Sequence, residues 1–72
     1  MFAQNGLEKR YYNNNKVESE VNYVQGVRTG EAKFYYENGN VKEELSYLNG
    51  RIDGLVKKYT KEGILFETFN IE

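Results

Sequence analysis

The chain has 72 residues, 39% of them hydrophobic, with ten Lys and Arg against eleven Asp and Glu. That is room for one domain at most, and a near-neutral charge lacks the basic footprint of a nucleic-acid binder. With no Cys and no His, neither a disulfide framework nor a His/Cys metal site nor a Ser-His triad can be built.

The opening, "MFAQN", fits a native start and fits equally a Met following a removed signal peptide. A cytoplasmic location is the favoured expectation and a secreted one the alternative. No stretch reaches the length of a transmembrane helix.

From Gly6 the chain repeats itself every 24 residues without a gap. The first copy spans 6–29, the second 30–53 and the third 54–72, the whole read as a single domain over 1–72. Gly6, Gly30 and Gly54 coincide, as do Lys9, Lys33 and Lys57, and Tyr11, Tyr35 and Tyr59. Apolar slots recur at Val17, Val41 and Leu65, at Val21, Leu45 and Phe69, and at Tyr23, Tyr47 and Ile71. Such a short period marks a repeat architecture.

Each copy reads as a β-hairpin. The first arm is short and aromatic, as in "AKFYY". The turn "ENGN" places Gly39 at the left-handed position of a type I turn with a G1 bulge. Gly63 and Asn15 fill that slot in the other copies. The second arm, "VKEELSYL", alternates, with Val41, Glu43, Leu45 and Tyr47 on one side and Lys42, Glu44 and Ser46 on the other. A helix there is disfavoured, because the apolar spacing is two and the flanking glycines leave barely two turns. Further glycine-containing turns, "QGVRTG" and "NGRIDG", lead to the next hairpin, with Gly6, Gly30 and Gly54 bending the chain between repeats. In the last arm, Ile64, Phe66 and Phe69 do not alternate cleanly, and this edge is expected to fray.

The expected register puts Tyr35 on the face of Val41, Leu45 and Tyr47, with Tyr11 and Tyr59 repeating the position. It sets Lys33 across from Glu43 and Lys57 across from Glu67. A four-residue loop would instead put Phe34 and Tyr36 on that face.

Gly-x-x-Lys-x-Tyr-Tyr, Glu-Asn-Gly, Val-x-x-Glu and Tyr-x-x-Gly together resemble the MORN repeat, specifically its bacterial variant. The closest part is "YYENGNVKEE" at 35–44. Copy one departs with "NNN" in its turn, and copy three has Thr60 where a second Tyr is expected. The resemblance implies an all-β chain of consecutive hairpins forming one elongated, twisted antiparallel sheet. It also implies scaffolding, protein-binding or lipid-binding roles; bacterial variant-repeat proteins are often labelled antitoxin-like. No site residue is carried over from it.

Catalytic chemistry lacks parts. Ser19 and Ser46 have no candidate base, and Glu43 and Glu44 are strand neighbours that point to opposite faces. Asn13–Asn15 lacks the carboxylates of a calcium loop. No cofactor is expected.

The candidate interaction residues are Tyr11, Tyr35, Tyr59, Tyr23 and Tyr47, as a shared core or an exposed aromatic strip, and the ladder Lys9, Lys33 and Lys57. The ladder could meet anionic headgroups or pair with glutamates across the hairpin. A domain this small leaves its apolar face partly uncovered and two sheet edges open. The expected function is therefore a non-enzymatic protein-interaction or scaffolding module, with a protein partner, a homo-oligomer or a longer array as its context. Lipid binding through the lysines is the alternative.

Overall fold

A computed structural model describes residues 4–72; residues 1–3, part of the opening stretch, lie outside the described residues. Seven strands form one antiparallel sheet: β1 (Gly6–Tyr11), β2 (Val17–Val24), β3 (Val27–Tyr35), β4 (Val41–Leu48), β5 (Arg51–Ile52), β6 (Gly54–Tyr59) and β7 (Leu65–Ile71). Spatial order follows chain order, β1-β2-β3-β4-β6-β7, with β5 also paired to β4. The fold is all-β, as expected. No helix crosses residues 41–48, and no arm pairs out of sequence.

Two kinds of turn alternate along the chain. Within a repeat, Tyr36 N–H donates to the Asn40 carbonyl and Gly39 N–H to the Tyr36 carbonyl, at 2.8 and 3.0 Å. This is the expected type I turn closed by a G1 bulge, with Gly39 at φ +95°. The first and third repeats reproduce both bonds around Asn15 and Gly63. Between repeats the connections are two-residue turns, Gln25–Gly26 and Asn49–Gly50, in which all four residues have positive φ. That is the type I′ geometry matched to strand twist. The chain reverses there, four residues before Gly30. Gly30 itself lies inside β3 with φ +75°, and a Cβ on it would meet nothing within 4 Å. It is needed for its backbone conformation, at the irregularity where Asn22 alone faces residues 29–31.

The register departs from expectation by one residue. Beyond the turn, Tyr35 pairs with Val41 but Phe34 pairs with Glu43, leaving Lys42 as the extra residue of a second bulge. Glu18 and Phe66 are the extra residues in the other hairpins. Lys33 therefore faces Glu44 rather than Glu43, and Lys57 faces Thr68 rather than Glu67. The extra residue moves the whole second arm to the other side relative to the first. Without it, Lys33 and Glu31 would share a face with Leu45 and Tyr47. With it, Ala32 and Phe34 do, and apolar and charged residues separate. The bulge at Phe66 also explains why the last arm does not alternate; apart from that residue the arm pairs with β6 from Leu65 to Ile71.

Val21, Ala32, Leu45, Tyr47 and Val56 form the buried core, flanked by half-buried Tyr23, Phe34, Ile52 and Ile71. Large faces small here: Leu45 opposes Ala32 and Tyr47 opposes Gly30. The molecule measures 40 × 34 × 11 Å. All seven strands of the described residues belong to one sheet, so this thin slab is a single layer with no second sheet over its inner face.

Candidate interaction surfaces

The outer face carries one cross-strand row. Lys9 faces Glu20, Glu20 faces Lys33, Lys33 faces Glu44, Glu44 faces Lys57, and Lys57 faces Thr68. Charge alternates along it. Lys9 and Glu20 come within 3.4 Å, and Lys33 and Glu44 within 3.9 Å. Exposed pairs of this kind each contribute little, about 0–1 kcal/mol. Their effect is to leave the three lysines interleaved with carboxylates.

Strand alternation puts Tyr11, Tyr35 and Tyr59 on this same outer face. That corrects the expectation that they share a face with Leu45 and Tyr47, and the bulge at Lys42 is the reason. The Tyr35 hydroxyl donates to Glu20 and the Tyr59 hydroxyl to Glu44, each one repeat back. The bond from Tyr35, with help from Lys9, holds the Glu20 carboxyl below its usual range. Burial and the Glu20 carboxylate push the Tyr35 hydroxyl up to about 12. Tyr11 is 58% exposed, and its hydroxyl has no partner among the described residues.

Tyr23 and Tyr47 stand on the inner face, with the Arg28 guanidinium 5.4 Å from the Tyr47 ring centre. A groove of about 430 Å³ opens on this face, walled by Tyr12, Tyr23, Phe34 and Tyr47 and ringed by Arg10, Arg28, Lys42 and Glu18. The candidate tyrosines thus divide into an outer set bonded to glutamates and an inner pair beside the groove.

Besides Tyr35 and Tyr59, other residues fasten repeat to repeat that were not among the candidates. Tyr12 donates from its hydroxyl to the Tyr35 carbonyl at 2.5 Å, and Tyr36 to the Tyr59 carbonyl at 2.7 Å. Asn14 Nδ2 donates to the Glu37 carbonyl at 3.0 Å, and Asn38 Nδ2 to the Lys61 carbonyl at 2.9 Å. Each bond is the other's copy displaced by one repeat. The signal was present in the sequence: Tyr12/Tyr36, Asn14/Asn38 and Glu20/Glu44 recur at the 24-residue period, and all three slots change together in the third copy.

Among the described residues no group of three or more His, Cys, Asp or Glu is placed to hold a metal ion, and no helix is long and apolar enough to cross a membrane. The two edges differ: β1 carries Glu8, Lys9 and Arg10 between exposed Leu7 and Tyr11, whereas β7 exposes Leu65, Phe66 and Phe69.

The family model for the MORN repeat variant matches residues 4–25 and 28–49. No curated protein and no solved structure matches the chain. Residues 54–72 fall outside the two matches, yet they follow the same path, β5 and β6 corresponding to β3 and β7 to the inner strands β2 and β4. With the match covering more than half of its length, the chain belongs to the MORN repeat variant family, a family of non-catalytic interaction repeats.

Proposed function

We propose that this chain is a non-enzymatic protein-interaction module that presents the inner face of its sheet, and that in the purified protein the partner on that face is a second copy. The observation that carries this reading is the 11 Å slab. Tyr23, Phe34, Ile52 and Ile71 pack on the core from the side, but no second layer covers them. A sheet of this kind gains most by burying such a face against another surface. The aromatic walls and the two arginines on the rim are of the residue types enriched at protein interfaces. The outer lysines support a protein partner over an anionic lipid surface, because Lys9 and Lys33 are each paired with a glutamate.

Light scattering tests the proposal. The expected mass is twice the 8.5 kDa of the chain. Phe34→Lys, which places a charge in the groove wall opposite Glu43, is expected to weaken self-association about tenfold or more while circular dichroism stays that of a sheet. A wild-type protein that stays monomeric up to its solubility limit would overturn the reading. So would a dimer that Phe34→Lys leaves intact.

A further inference from the structure

The side-chain bonds that recur at both junctions between repeats have a direction, and the third repeat lacks the three groups that supply them. The strand and turn on the N-terminal side supply a tyrosine hydroxyl (Tyr12, Tyr36), an asparagine amide (Asn14, Asn38) and a carboxylate (Glu20, Glu44). The following repeat supplies two backbone carbonyls and the hydroxyl of Tyr35 or Tyr59. In the third copy these three supplying positions are Thr60, Glu62 and Thr68. Thr60 Oγ1 instead accepts from Ile64 N–H at 3.1 Å. In the other turns Asn14 and Asn38 cap that amide position from within. Glu62 has no amide to donate, and Thr68 has no carboxylate for an incoming tyrosine.

The other edge is the reverse. Tyr11 holds the slot of Tyr35 and Tyr59, exposed and without a hydroxyl partner among the described residues. Its carbonyl holds the slot that in Tyr35 and Tyr59 receives a tyrosine hydroxyl from the preceding repeat. β1 pairs on its other side with β2.

We propose that β1 is a docking edge for the terminal hairpin of another repeat protein, one whose turn reads Tyr-Tyr-x-Asn and whose following arm carries a glutamate in the Glu20 slot. A second copy of this chain cannot be that partner. Its β2 and β4 edges, which carry the glutamate, are already covered, and its one free edge of this kind, β7, lacks all three groups. The β7 edge thus lacks the groups that would continue an array, and the β1 edge keeps the slots that would accept one. This surface is separate from the inner face and does not depend on the reading given for it.

The test restores the missing groups on the full chain. The variant T60Y/E62N/T68E supplies a hydroxyl, an amide and a carboxylate at the β7 edge, and the amide side chain introduced at position 62 takes over the turn cap from Thr60. T68E also continues the alternating row beyond Lys57. The variant is expected to form an open-ended series of head-to-tail oligomers whose mean mass rises with concentration. Wild-type protein added in excess is expected to shorten the series, because it occupies a growing β7 end through its own β1 and offers no further end. The double variant E62N/T68E retains Thr60 and provides a second arm: it should require about five- to tenfold higher concentration for the same growth, the loss of one hydrogen bond of about 1 kcal/mol. It decides the matter alone if the triple variant does not fold. A folded variant with the mass of wild type would overturn the proposal. So would growth that wild type fails to cap, or an open-ended series formed by wild type itself. Failure of the inner-face reading would show only as loss of the closed wild-type dimer and leaves these outcomes untouched.

Discussion

The Tyr36 hydroxyl donates to the Tyr59 carbonyl at 2.7 Å, and so ties the turn of one repeat to the first arm of the next. Tyr36→Phe removes that bond and keeps the ring. The expected loss is about 1 kcal/mol, with a melting temperature lower by roughly 4–8 °C. Tyr12→Phe should cost a similar amount, and the two should nearly add, since each bond joins a different pair of repeats. Thermal melts of the singles and the double check this.

The Tyr35–Glu20 pair sets a pH dependence at both ends of the scale. Tyr35 is pushed from 10.0 up to about 12 in the folded chain, so its contribution is full below pH 10 and is lost as pH rises from there towards 12. Glu20 is lowered, so its contribution is present above the ordinary carboxylate range and is lost as pH falls through its folded value. Lysine deprotonation overlaps the alkaline limb, so the informative quantity is a difference. The stability gap between wild type and Tyr35→Phe should shrink between pH 10 and 12. Urea titrations across that range measure it, and a constant gap would refute the assignment.

Gly39 stands at φ +95° in the G1 position, with only the Lys16 side chain near a would-be Cβ, at 3.8 Å. Gly39→Ala therefore meets no hard contact and is penalised by backbone conformation, by about 1–2 kcal/mol. Gly39→Asn should recover a large part of the loss, because Asn15 holds the same slot in the first repeat at φ +68°. Chemical denaturation of the two variants tests the ordering.

Val56 is 2% exposed in the core on β6, whereas Leu65 on the last strand is 47% exposed. Val56→Ala should cost about 2 kcal/mol, and Leu65→Ala should stay within about 0.5 kcal/mol in the monomer. Urea denaturation of both variants makes the comparison. If Leu65→Ala proved as costly as Val56→Ala, the β7 edge would have to be covered by another chain.

The period, the hairpins and the G1 turn were all legible, because Gly39, Gly63 and Asn15 mark a conformation few residues adopt. The bulge at Lys42 was not. An extra residue in a strand has no residue type of its own, and Glu18, Lys42 and Phe66 share nothing but position. That single residue moved Tyr35 from the Leu45 face to the Glu20 face and set Lys33 opposite Glu44. The register becomes readable only when the faces are weighed as wholes, with Ala32 and Phe34 set against Lys33 and Glu31. The type I′ turns were legible only as glycine-containing turns; Gln25 at φ +48° is an unusual residue for that position. Lys9, Lys33 and Lys57 recur in one cross-strand row, whereas the candidate tyrosines divide between the two faces. What they touch depended on the register.

Because spatial order follows chain order, no strand pairing in this sheet has to wait for a segment from the far end of the chain. Each hairpin can close as soon as its own two arms exist, and then serve as the template on which the next arm is laid. Topologies with such local pairing assemble quickly for a β protein. A ribosome releasing this chain from its N-terminus would therefore deliver the strands in the order in which the sheet grows, with Tyr12 and Asn14 already in place when Tyr35 and Glu37 arrive to meet them.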